Sequence, residues 1–110
     1  MTSIAALILS AYVSNPFLTI AQGTVESSLN QFAVGRLKEK GAFQVRESIW
    51  GKTPKHFYGQ AKQHEMILNT LIQRSRGDVW KAVKRYNGQG RKADNYVWKV
   101  KKKTIQIAML

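Results

Sequence analysis

Apolar residues recur at roughly helical spacing along most of this chain, and that periodicity dictates a fold of helices, each burying one face against its neighbours. Asn15-Pro16 opens the clearest of them, because an asparagine side chain caps free backbone amides and proline fits the first helical turn without losing a needed donor. From Phe17 the run continues through Leu18, Ile20, Ala21 and Val25 and carries Glu26 near its carboxyl end. Between Ser28 and Lys52 the pattern lapses; residues 35 to 41 read as an exposed loop bounded by two glycines, and Gly41 to Val45 as a tight, mostly apolar turn.

Thr53-Pro54 is expected to open a long helix, with Ala61, His64, Met66, Ile67, Leu68, Leu71 and Ile72 inward and Lys55, Lys62 and Arg74 outward. After Gly77-Asp78, a shorter helix carries Val79, Ala82, Val83 and Tyr86 on one face, and Asn87-Gly88-Gln89-Gly90 breaks it. The last helix is expected to start near Ala93, to carry Tyr96, Val97 and Val100, and to end in the apolar Ile105, Ile107, Met109 and Leu110. The amino-terminal Met1 to Val13 is apolar, but it has no basic start and no clean small-residue cleavage site. It reads as a core helix over Ile4 to Val13, with an uncleaved membrane anchor as the alternative. A chain of 110 residues, 44% of them hydrophobic, supports one modest core, so residues 1 to 110 are read as a single, mainly α domain with little or no β-structure.

The chain has no cysteine, which excludes disulfides and thiolate metal sites. His56 and His64 lack matching acidic partners and make a poor metal constellation; neither a metal nor an organic cofactor is expected. Eighteen Lys and Arg against six Asp and Glu give a net charge of +12, a field that calls for an anionic partner. Nucleic acid and anionic cell-wall polymers satisfy that demand equally.

Among the acidic residues Glu26 is the exception, since it follows an apolar helical run while the other five have basic residues within a few positions. A carboxyl at the rim of an apolar pocket holds its proton more tightly, as a general acid working near neutral pH requires. A helix-end carboxylate without chemistry is the plain alternative.

Glu26-Ser27-Ser28-Leu29-Asn30 resembles the catalytic signature of soluble lytic transglycosylases. Ala33 stands where that family has a small residue, and Gly41-Ala42-Phe43-Gln44 resembles its glycine-leucine-methionine-glutamine motif, with Gln44 eighteen residues after Glu26. Tyr86-Asn87-Gly88 resembles its tyrosine-asparagine-alanine-glycine motif, and Asn95-Tyr96-Val97 with Val100 its closing helix. The resemblance spans about Phe17 to Val100 and implies a lysozyme-like fold.

It implies that Glu26 is the catalytic acid and then the base, cleaving the bond between N-acetylmuramic acid and N-acetylglucosamine in peptidoglycan glycan strands with a 1,6-anhydro product. Ser27 would orient the carboxyl or the sugar, Gln44 would hydrogen-bond the glycan across the groove, Asn87 would hold a substrate amide, and Tyr86 and Tyr96 would supply wall and hydroxyl contacts. Each has a structural reading beside it: Ser27 as a helix end, the tyrosines as core aromatics, Asn87 as a turn residue.

The sequence departs from the pattern at Ala42 and Phe43, in the short segment between Tyr86 and Tyr96, and at Lys38-Glu39. Goose-type lysozymes, which share the fold, carry an acidic residue in that loop, so Glu39 is a candidate second carboxylate for hydrolysis by a muramidase. Between Lys38 and Lys40 it reads first as a solvated loop charge.

The rival from another class is a nucleic-acid-binding module with Arg74, Arg76, Lys81, Lys84, Arg85, Arg91, Lys92, Lys99 and Lys101 to Lys103 as a phosphate-binding face and Trp80 and Trp98 interleaved. A third reading is a catalytically dead structural protein of a virion or secretion assembly. The lack of a clear secretion signal points to a phage or conjugative-plasmid enzyme acting in the periplasm or cell wall, with virion or secretion-complex proteins as further partners.

Overall fold

A computed structural model describes residues 13 to 109. The expected helix over Ile4 to Val13 lies outside the described residues except for the buried Val13. The rest is mainly α: α1 (Pro16–Ser27), a single turn α2 (Glu47–Trp50), α3 (Phe57–Arg74), α4 (Val79–Asn87) and α5 (Gly90–Ala108). The β-structure among the described residues amounts to two isolated antiparallel bridges, Val34 with Lys40 and Lys40 with Val45. None of the described helices is long and apolar enough to cross a membrane.

α1 begins as its residues dictate. The Asn15 side chain accepts a hydrogen bond from the Leu18 amide at 3.1 Å, and Pro16 occupies the first turn. Leu18, Ile20 and Ala21 bury one face, and α1 packs most extensively on α5, where Tyr96 and Val100 are buried. α4 lies against both α3 and α5 and contributes Ala82 and Val83. The helix ends sharply after Ser27, because Ser28 and Leu29 both take positive φ (58° and 62°) and return their amides to the Thr24 and Gly23 carbonyls.

Four expectations are corrected. Thr53-Pro54 does not open the long helix, which begins at Phe57 with His56 as its cap; Thr53 is instead tied by its amide to the Glu47 carboxylate at 2.7 Å. The long helix turns Met66 outward, leaving it 47% exposed. The lapse after Ser28 contains the turn α2, too short to register as a period. α5 starts at Gly90, three residues before Ala93, and among the described residues of the apolar end Ile107 is buried while Ile105 and Met109 face out.

The segment between α1 and α2 is held by side chains. Gln60 of α3, 3% exposed, accepts from the Ala42 amide at 2.9 Å and donates to the carbonyls of Gln31 (3.0 Å) and Pro54 (2.9 Å). Gly41 accommodates this, since its φ is +80° and a Cβ there would lie 2.7 Å from the Gln60 amide oxygen. Phe43, 1% exposed, then enters the core and stacks on His64 at 4.6 Å between centroids.

Replacing Gln60 by leucine strands the buried Ala42 amide and two half-buried carbonyls at once. Gln60→Leu is expected to lower the free energy of unfolding by about 3 kcal/mol, measurable by urea denaturation at pH 6.

Candidate active site

Glu26 sits in the last turn of α1, one turn after Gln22, and its carboxyl lines a cavity of about 230 Å³. Glu39, Gln44, Val45 and Arg46 come from the connecting segment, Ile49 and Trp50 from α2, and Arg85, Tyr86, Asn87 and Gly88 from the end of α4. Five of the seven residues singled out in the sequence, Glu26, Glu39, Gln44, Tyr86 and Asn87, thus share one cavity although the first and last lie sixty-one positions apart. Ser27 and Tyr96 do not line it.

The electrostatics centre on Glu26. Burial pushes its carboxyl up from 4.5 to about 7; a hydrogen bond from the Tyr96 hydroxyl opposes that rise, and the negative charge of Glu39 adds to it. Glu39 therefore acts on the cavity and is not a remote solvated charge, although its Oε1 also accepts from the Leu37 amide at 2.8 Å. Gly35 makes room for both carboxylate and amide: a Cβ there would meet Gln44 Oε1 at 2.5 Å and Glu39 Oε1 at 2.7 Å.

Gln44 adopts φ 49°, a left-handed conformation that costs a side-chain-bearing residue energy. Two hydrogen bonds to the Gly41 carbonyl, from its backbone amide at 3.1 Å and its side-chain Nε2 at 2.9 Å, hold the turn. That leaves Oε1 as its acceptor on the cavity side.

Two expected substrate contacts are committed elsewhere. The Ser27 hydroxyl donates to the Ala42 carbonyl at 2.7 Å and accepts from the Asn30 amide at 2.9 Å, joining the helix end to the segment that carries Gln44. The Tyr86 hydroxyl donates to the Phe43 carbonyl at 2.7 Å, so Tyr86 offers the cavity its ring and not a free hydroxyl. Tyr96 reaches Glu26 from the buried side of α5. Asn87, at the last position of α4, is exposed and borders the cavity.

The sequence reading did not select Arg46, Trp50 or Gln22 for this site, and it placed Arg85 only in the competing nucleic-acid face. Two arginines among eighteen basic residues carry no distinguishing mark, and Trp50 stands in a segment with no period. Gln22 did carry a signal: a polar residue one turn before Glu26 in an otherwise apolar run. Comparison with protein-family models, curated proteins and solved structures found no match to this chain.

Chemically, the arrangement is a protonatable carboxyl with little water, a second carboxylate, an amide acceptor and two guanidinium groups around an open cavity. The raised Glu26 has a stability consequence whose sign is fixed. Between pH 4.5 and 7 the folded state binds the proton that the unfolded state has released, so stability falls as pH rises through that window. Glu26→Gln removes the penalty. Relative to wild type, the variant is expected to gain on the order of 3 kcal/mol between pH 4.5 and 8, read by denaturant titration at both pH values.

Proposed function

We propose that this chain is a peptidoglycan lytic transglycosylase, cleaving the β-1,4 bond between N-acetylmuramic acid and N-acetylglucosamine with Glu26 as general acid and then base. The observation that carries the reading is the carboxyl of Glu26, held protonated to about pH 7 by burial inside an open cavity. A carboxyl of that kind donates a proton to a leaving oxygen at neutral pH and, once ionised, takes one back.

In this reaction Glu26 protonates the glycosidic oxygen as the bond to the anomeric carbon breaks, releasing the N-acetylglucosamine side as an alcohol. Positive charge develops on the N-acetylmuramic acid ring. Its own 6-hydroxyl then attacks the anomeric carbon and gives its proton to the Glu26 carboxylate. The acid is regenerated, a 1,6-anhydro ring is formed and no water is consumed. Glu39, Gln44 and Asn87 border the same space; a carboxylate near the developing positive charge stabilises it, and amide groups match the acetamido and hydroxyl groups of the glycan. Arg46 and Arg85 suit the carboxylates of the lactyl group and peptide stem.

A second reading has its own support: Glu39 lines the cavity and raises the Glu26 carboxyl, so it is close enough to activate a water for hydrolysis. In a muramidase Glu39 is the base; in a transglycosylase it transfers no proton and contributes only its charge. The net charge of +12 serves either enzyme by drawing it to an anionic wall.

Lysis of purified peptidoglycan, followed by turbidity, tests these roles. Glu26→Gln is expected to lose activity by a hundredfold or more while remaining folded, and wild-type activity is expected to fall above about pH 7 as Glu26 ionises. Glu39→Gln is expected to keep most of its activity and to shift the alkaline limb downward, because removing a negative charge eases ionisation of Glu26. A fully active Glu26→Gln refutes the assignment, and an inactive Glu39→Gln favours the muramidase.

A further inference from the structure

Gln22 and His64 are both 0% exposed, in core positions that a leucine would fill at less cost. They are bonded to each other, and Gln22 is bonded to Tyr96. His64 Nε2 lies 2.8 Å from Gln22 Oε1, and Gln22 Nε2 donates to the Tyr96 hydroxyl oxygen at 3.0 Å. Tyr96 in turn hydrogen-bonds Glu26. We propose that Gln22 and His64 are positioning residues that fix the direction of this chain, so that Tyr96 always presents its proton to Glu26. The inference rests on Glu26 being the acid of the proposed reaction and extends it to two residues outside the cavity.

The direction follows from what each atom can do. An amide oxygen only accepts, so the shared proton between His64 and Gln22 belongs to His64 Nε2. His64 is neutral, since complete burial pushes it down to about 3 despite the nearby charge of Glu65, and its Nδ1 is then an acceptor. That Nδ1 has no partner among the described residues, and an orphaned acceptor costs less than an orphaned donor. With Gln22 Oε1 held by His64, its amide nitrogen must face Tyr96. The tyrosine oxygen is thereby occupied as an acceptor, and its single proton is left for Glu26.

Stacking of His64 on Phe43 and its packing at 5.4 Å from Tyr86 lock the imidazole in place, and through it the amide. Glu39, Tyr86 and Tyr96 act on Glu26 electrostatically, and Arg46 of the connecting segment and Arg85 of α4 line the same cavity. Of these, Tyr96 donates a hydrogen bond to the Glu26 side chain. A donor fixed toward the carboxyl stabilises its ionised form during the second half of the reaction, when it must accept a proton.

Direct titration of the Glu26 carboxyl by carbon-13 NMR, in protein carrying labelled glutamate, tests this without reference to activity. Tyr96→Phe is expected to raise the midpoint by about one pH unit. Gln22→Met is expected to raise it by a smaller amount, and Gln22→Met with Tyr96→Phe no further than Tyr96→Phe alone, because Gln22 acts through Tyr96. A midpoint unmoved by Gln22→Met, or shifts that add in the double variant, overturns the proposal. Should Gln22→Met fail to fold, His64→Phe keeps a ring on Phe43 and removes the Nε2 proton; a midpoint that rises supports the chain and one that stays overturns it. A wild-type midpoint near 4.5 counts against the proposed function alone, since the displacement caused by each variant is read relative to wild type.

Discussion

A carboxyl group that has lost most of its water at the end of an apolar helix is the constraint around which this small protein is arranged. α1 has to be apolar to anchor on α5, and it has to stop abruptly after Ser27 for Glu26 to reach a cavity at all. The two left-handed residues that stop it, Ser28 and Leu29, also turn the chain into the segment that forms the opposite wall. Desolvation gives Glu26 its proton near neutrality, and Tyr96 keeps that effect within the range in which the group can still ionise.

The wall itself has almost no secondary structure, so its shape depends on side chains bonded to backbone. Gln60 from α3, Ser27 from α1 and Tyr86 from α4 each end on a backbone group between Gln31 and Pro54. Three helices thereby fix one irregular segment, and Gln44 can be held in a conformation that a free chain would avoid. Ser27 and Tyr86 serve the site by building it: their hydroxyls are spent on the Ala42 and Phe43 carbonyls, in the two residues that lead into Gln44.

Much of this was legible in the sequence because it depends on local chemistry. Asn15-Pro16 dictates the start of α1, the apolar spacing through Val25 dictates its buried face, and Asn87-Gly88 dictates the end of α4. The separateness of Glu26 from every basic residue is likewise written in one dimension. What stayed hidden depends on distant partners. Thr53-Pro54 has the look of a helix start, but the Glu47 carboxylate holds Thr53 in a turn and the helix waits until Phe57. Glu39, between two lysines, looks solvated until the fold brings Gly35 and Gln44 against it. His64 looks like any core residue at helical spacing, and only the 2.8 Å contact with Gln22, forty-two positions away, gives it a role.

The positive charge fits the same account. Among the described residues only Lys62 with Glu65 and Lys84 with Asp94 form ion pairs, so most of the basic side chains are left to an external anion. The central claim, that a buried acid at Glu26 opens a glycan by internal attack, is tested most directly by the products. Mass spectrometry of muropeptides released from purified peptidoglycan by the wild-type protein should find species lighter by one water than their reducing-end counterparts. Strongly salt-dependent DNA binding, with no muropeptide released from any of several wall types by folded protein, would contradict it.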